Sequence, residues 1–277
     1  QGSLDNKVVM EGDRLENAFS NLPGQWGGIW LRAGSNDSRI DHALIKNATI
    51  GVLVDSIGSL TEPTLSISNT EIYNSEHFGL WGRTAHINGH NLVINNCGRA
   101  SLALTIGGSY DFKHCTFANF WYRGYREYPS VLINNYYSYT QDNTEYVVPR
   151  ALERANFTNC LIDGSNFSEL LLDRNEAAPF QYYFAHNGIK FNAGQGGTGN
   201  ELYDFDNSAF YSDNSINPVS DFKSPENNQL IIGELSDVIG KASVVGTQAV
   251  PVDILGISRT IPADIGAYQH IVFVRKN

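Results

Sequence analysis

Short apolar segments recur along this chain, each ending in or next to a residue that can hydrogen-bond or carry charge. They read Ile29-Trp30-Leu31-Arg32, Val52-Leu53-Val54-Asp55, Leu80-Trp81-Gly82-Arg83, Leu102-Ala103-Leu104-Thr105, Val131-Leu132-Ile133-Asn134 and Leu170-Leu171-Leu172-Asp173. Side chains alternate across a strand, so the first and third residues of each segment face one way and the second and fourth the other. Stacked in register, six such strands place Arg32, Asp55, Arg83, Thr105, Asn134 and Asp173 in one outward column. Beside it stands a second column of Trp30, Leu53, Trp81, Ala103, Leu132 and Leu171. A segment repeated with a decorated outer face is the signature of a solenoid.

A second repeat lies between these strands. It reads Ala43-Leu44-Ile45-Lys46-Asn47, Thr70-Glu71-Ile72-Tyr73-Asn74, Leu92-Val93-Ile94-Asn95-Asn96, Cys115-Thr116-Phe117-Ala118-Asn119 and Cys160-Leu161-Ile162-Asp163-Gly164. The fifth position is Asn four times and Gly once. Both residues tolerate a left-handed backbone, so the position predicts a tight turn, and stacked Asn side chains can hydrogen-bond along the stack. The first strands start at 29, 52, 80, 102, 131 and 170, a rung of about 22 residues with insertions. No amphipathic helix of 10 to 15 residues separates the rungs, which argues against a βαβ fold. An open sandwich predicts no Asn at a fixed offset. The pattern predicts an all-β chain, a single-stranded right-handed parallel β-helix of about seven coils.

The coils are predicted over residues 1–199, with insertions at 108–130 and 135–153, and an irregular C-terminal cap over 200–277 in the same domain. The first insertion holds Tyr110, Trp121, Tyr122, Arg123, Tyr125, Arg126, Glu127 and Tyr128; the second adds Tyr136, Tyr137, Tyr139, Tyr146 and Arg150. Long loops on a solenoid usually decorate one face, often the binding face. A last coil is placed around Phe180–Asn192, followed by the Gly-rich turn Ala193–Gly199. The cap is expected to cover an open sheet end.

Composition narrows the partners. Of 277 residues, 42% are hydrophobic and only 17% charged, with 19 Lys plus Arg against 29 Asp plus Glu. A net charge of -10 disfavours nucleic acid as a partner. No run of eighteen apolar residues predicts a transmembrane helix, and no basic-then-apolar stretch resembles a signal peptide. Repeat-like sequence begins almost at Gln1, as in a processed or truncated product. The three cysteines lack CxxC spacing, which argues against a disulfide framework or a zinc site. Cys115 and Cys160 share an inward position on successive coils, where free thiols fill space as small apolar groups; a disulfide between them is the lesser alternative. The seven histidines form no metal-binding motif, and His86 with His90 is a four-residue coincidence on a strand.

Three stretches resemble pectin-lyase-like right-handed β-helix proteins of bacterial cell surfaces: 23–30 (PGQWGGIW), 45–48 (IKNA) and 114–119 (HCTFAN). Near the C-terminus, Asp253-Ile254-Leu255-Gly256 with Arg259 and Asp264-Ile265-Gly266-Ala267-Tyr268-Gln269 is similar to a choice-of-anchor Q ending. The resemblance covers roughly residues 8–270. It implies export to the cell surface or periplasm, often with a lipid anchor or further domain upstream of Gln1. It also implies two chemistries: lyases with an Arg or Lys base beside calcium, and hydrolases with Asp pairs on neighbouring rungs.

The outward column can be weighed against both. Asp55 and Asp173 lie four rungs apart, on the order of 19 Å, too far for either glycosidase geometry. A lyase would take Arg83 or Arg123 as base, but the nearest approach to a calcium cluster is Glu169, Asp173 and Glu176. Catalytic residues therefore stay unassigned, no metal ligands are proposed, and Ca2+ enters only under the lyase alternative. As a binding face, Trp30, Trp81 and Tyr125 would stack on sugar rings while Arg83, Asn134 and Asp173 hydrogen-bond hydroxyls of a polysaccharide or glycan. Read structurally, Arg32, Asp55 and Arg83 are a cross-strand ion-pair ladder, of order 0.2–1 kcal/mol per pair. A non-catalytic spacer or adhesin displaying the tyrosine loops is the remaining alternative.

Overall fold

The computed structural model describes residues 1–14, 16–59, 61–194 and 200–274. The Gly-rich turn predicted at 193–199 lies mostly outside the described residues. One sheet of 17 strands dominates, its pairings parallel, with two small antiparallel pairs beside it. The architecture is all-β and solenoid-like, compatible with a β-helix.

The strands stack into three faces. Face A contains the first repeat in the expected register: Trp30 pairs with Leu53, Leu53 with Trp81, Trp81 with Ala103, Ala103 with Leu132 and Leu132 with Leu171. Face C contains the second repeat, where Ile45, Ile72, Ile94, Phe117 and Ile162 pair in sequence. Between them runs face B, through Ile40, Ile67, Gly89, Phe112, Phe157 and Phe184. The strand Phe78–Cys97 bends through all three faces without a break.

Inward residues from the three faces form one continuous buried core. On face B it is an aromatic file. Phe157 stacks on Phe184 at 4.7 Å and 4°, and Phe112 lies 5.5 Å from Phe157. Each such pair is worth about 0.5–1.5 kcal/mol beyond its buried area. Cys97, Cys115 and Cys160 are buried free thiols within this core. Burial pushes the Cys97 thiol up to about 11 and holds that of Cys115 well above its usual value.

The Asn turn after face C is present at Asn47, Asn74 and Asn96, with φ of 64°, 55° and 53°. Asn119 departs from it. There the chain leaves the stack, and the Asn119 side chain instead accepts from Cys97 N at 3.1 Å and donates to Cys97 O at 2.9 Å. The Asn ladder is also interrupted. Asn228 from the C-terminal region inserts between rungs, accepting from Asn96 at 2.7 Å and donating to Asn74 at 3.4 Å.

A second left-handed corner follows face B, at His42, Asn69, Asn91, His114, Asn159, His186 and Asp213. Each directly follows a paired residue of the file Asp41, Ser68, His90, Lys113, Thr158, Ala185 and Ser212. Asn and Asp reach this conformation because their short polar side chains bond locally. Three of the seven histidines are thus corner residues.

Three boundaries differ from the sequence expectation. Residues 108–113 are strand, and Tyr110 is buried in the core with its hydroxyl donating to Gly107 O, so the first insertion shrinks to about 120–130. The second is an antiparallel hairpin, Tyr136–Gln141 with Thr144–Pro149, after which Leu152–Thr158 rejoins face B. The stack also continues beyond 199, through Tyr211–Ser212 and Ser215–Ile216. Face A ends at Leu170–Asp173, whose edge is closed by a side chain: Tyr203 Oη accepts from Leu172 N at 2.7 Å.

The C-terminal region does more than cover an end. It lies along the outside of face C, packing Leu230, Ile254, Ala267 and Tyr268 on Tyr73, Val93 and Ala118, and Ile232, Val238 and Ile265 on Leu161. Its motif residues secure backbone. Asp253 accepts from Leu255 N, Ile257 N and Gln269 N, and Arg259 donates to Asn91 Oδ1, Gly266 O and Ala267 O. Buried, Arg259 is lowered to about 10, with Asp253 and Asp264 opposing the shift.

Candidate functional site

The face A column is assembled as a set of hydrogen bonds running from rung to rung. Asp55 accepts from Arg83 Nε at 2.9 Å and from Arg83 Nη2 at 2.5 Å, a two-point pairing of fork and carboxylate. Trp30 Nε1 donates to Asp55 Oδ2 at 3.2 Å. Arg32 does not complete an ion-pair ladder; its guanidinium lies 5.2 Å from the Trp30 ring. Further along, Trp81 Nε1 donates to Thr105 Oγ1 at 2.9 Å, and Arg83 lies 5.0 Å over the Trp81 ring.

The next two column residues serve the backbone and a loop. Asn134 Oδ1 accepts from Ile106 N at 2.9 Å, at a β-branched residue held with φ of 62°. Asp173 accepts from Tyr136 Oη at 2.6 Å and so ties down the base of the hairpin. That hydrogen bond, with burial, raises the Tyr136 phenol to about 12.

The neighbouring column is open at one end and roofed in the middle. Trp30 is 54% exposed, whereas Ala103 and Leu132 are buried beneath Tyr128, with Leu171 and Trp81 at the margin. The roof is residues 120–130, held by an ion pair that sequence reasoning did not single out. Arg126 Nη2 and Nη1 donate to Glu169 Oε1 and Oε2 at 2.6 and 2.9 Å, and both side chains are almost fully buried. Glu169 also accepts from Ser130 N and Asn166 N. Burial raises the Glu169 carboxyl, and Arg126 opposes that shift.

Glu169, Asp173 and Glu176 are therefore dispersed rather than clustered. The first is sealed against Arg126, the second holds Tyr136, and the third is exposed beside Arg174. Among the described residues no group of three His, Cys, Asp or Glu side chains is placed to hold a metal ion. Both arginines considered as a base are engaged: Arg83 by Asp55, and Arg123 by Asn21 O at 3.1 Å and Tyr122 Oη at 3.2 Å. Tyr125 is 90% exposed and has no hydrogen-bond or ring partner among the described residues. Face A places Trp30 and Trp81 on one file and Arg83, Asn134 and Asp173 on the adjacent one; Arg123 and Tyr125 stand apart from its hydrogen bonds.

The hairpin tyrosines stack on one another. Tyr139 stacks on Tyr146 at 5.2 Å and 15°, and on Tyr137 at 6.2 Å and 26°. Their faces meet one another, which stabilises a two-stranded ribbon that is marginal alone. No protein-family model matches the chain, and no curated protein matches it.

Proposed function

We propose that this chain is an exported cell-surface protein that binds extended carbohydrate at the open end of face A. We infer further that its stack is a right-handed helix of about seven coils of the pectin-lyase-like kind. The seven left-handed corners after face B support the coil number, and parallel connections within one sheet are overwhelmingly right-handed. One observation supports the binding reading above others. Trp30 presents a half-exposed ring whose indole N–H is fixed by Asp55 on the paired strand, with Arg32 beside it and Arg83 one strand further on. An aromatic surface bordered by fixed donors and acceptors suits the apolar face and the hydroxyls of a sugar. Trp81, two pairing steps along the same file, packs on Phe78 at 4.7 Å and is bonded to Thr105.

The test is a glycan screen followed by isothermal titration of the wild type and Trp30→Ala. Binding that disappears in the variant is the expected result. A glycan bound equally by both proteins would remove face A as the site.

A further inference from the structure

Face B is the polar face, and its outward residues line a cleft of about 310 Å3. Asn88, His90, Asp111, Lys113 and Arg154 form it, on three adjacent strands, with Ala249 and Val250 at the rim. Lys113 pairs with Asp111. Arg154, by contrast, has no hydrogen bond or ion pair to any described residue. Its Nε is enclosed without an acceptor, and Asn88 Oδ1 in the same cleft is enclosed without a donor. An enclosed polar group without a partner costs about 1–3 kcal/mol, so two in one cleft require an explanation.

The charges are lopsided. Arg154 and Lys113 contribute two positive charges against one from Asp111, within a chain of net charge -10. His90 is lowered by burial, with Lys113 and Arg259 adding to the shift and Asp41 opposing it, so it faces the cleft as a neutral ring. A planar guanidinium without an acceptor favours an oxyanion that takes two parallel N–H bonds. Neutral His90 and Asn88 are suited to hydroxyl groups.

We propose that this cleft binds the oxyanion of a small hydroxylated ligand, a carboxylate or a sulfate, through Arg154 with Lys113 beside it. The cleft has room for one sugar-sized ligand, at the lower end of ligand-site volumes. It stands on a different face from Trp30 and goes beyond the carbohydrate reading of face A.

The experiment is calorimetric titration of the whole chain at low salt with glucuronate, inorganic sulfate and glucose. Saturable binding of glucuronate or sulfate, but not glucose, is expected. Tighter glucuronate identifies a carboxylate on a sugar as the ligand, and tighter sulfate identifies a sulfate group. Arg154→Gln should weaken binding about tenfold or more, as loss of a charged hydrogen bond does, with Arg154→Lys intermediate. Circular dichroism checks that both variants fold. No saturable binding of either anion, or equal affinity in wild type and Arg154→Gln, overturns the proposal.

Discussion

Trp30 and Leu132 occupy the same position of the same strand repeat, four pairing steps apart on face A. One is 54% exposed and the other 8%. Nothing in the position itself makes this difference. The chain returns over Leu132 through residues 120–130, and Tyr128 descends onto it because Arg126 is clamped to Glu169. Over Trp30 no such roof is seen among the described residues. Outward side chains on one file therefore become core where a loop returns, and remain available for recognition where it does not. Face C extends the lesson, since the C-terminal region turns outward residues of two neighbouring files, Val93 and Leu161 on one and Ala118 on the next, into a second interior.

Substitutions can sharpen this contrast, beginning with the roof. Glu169→Ala leaves Arg126 buried without its partner and should destabilise the protein by about 3–5 kcal/mol in urea unfolding. It should also expose the apolar patch at Leu132, read as increased binding of a hydrophobic dye. A loss below about 1 kcal/mol would mean that the pair does not hold the roof.

The cover on face C is tested through His114. Its ring is buried, with Nε2 2.8 Å from Asn159 Nδ2 and Nδ1 facing Gly266 O at 3.3 Å. Burial, reinforced by Arg259, lowers it from 6.5 to about 3. The folded-state value lies below the unfolded one, so the unfolded chain binds more protons between them. This contribution to stability is complete above about pH 6.5 and is lost as pH falls toward 3. The slope reaches about 1.4 kcal/mol per pH unit. His114→Asn, which installs the residue used at corners 69, 91 and 159, should flatten it. Equal slopes in the two proteins would place the ring's titration outside folding.

The smallest effect is expected at the open end. Asp55→Asn weakens a part-exposed pair and should cost about 0.2–1 kcal/mol, less at high salt. A loss above about 2 kcal/mol would show that this end is also structural core.

Much of this was legible in the residues, but unevenly. Both repeats predicted the observed register because alternation fixes which side chains face inward, and a slip of one residue would expose the whole core file. Asn47, Asn74 and Asn96 declared their turn because few residues accept its backbone. The corner at His42, His114 and His186 was harder to see, since three residue types share it and an insertion widens its spacing. The covers were less visible, although they had a signal. Leu92-Val93-Ile94 and Val131-Leu132-Ile133 are unbroken apolar runs, as expected of strands buried on both sides. The strict alternation around Asn88, His90, Asp111 and Lys113 marks a face with one side left to water. The partnership of Arg126 with Glu169, 43 residues away, had no local signature. Such long-range pairing depends on how a loop folds back, and that is set by the assembled stack.

The most direct test measures stability and glycan affinity together for Trp30→Ala and Leu132→Ala. Trp30→Ala should lose binding while its unfolding free energy stays within about 0.5 kcal/mol of wild type. Leu132→Ala should lose about 2–4 kcal/mol of stability while its folded fraction binds as wild type does. The reverse pattern, with Trp30→Ala unstable and still binding, would contradict the division of face A into a roofed half and an open one.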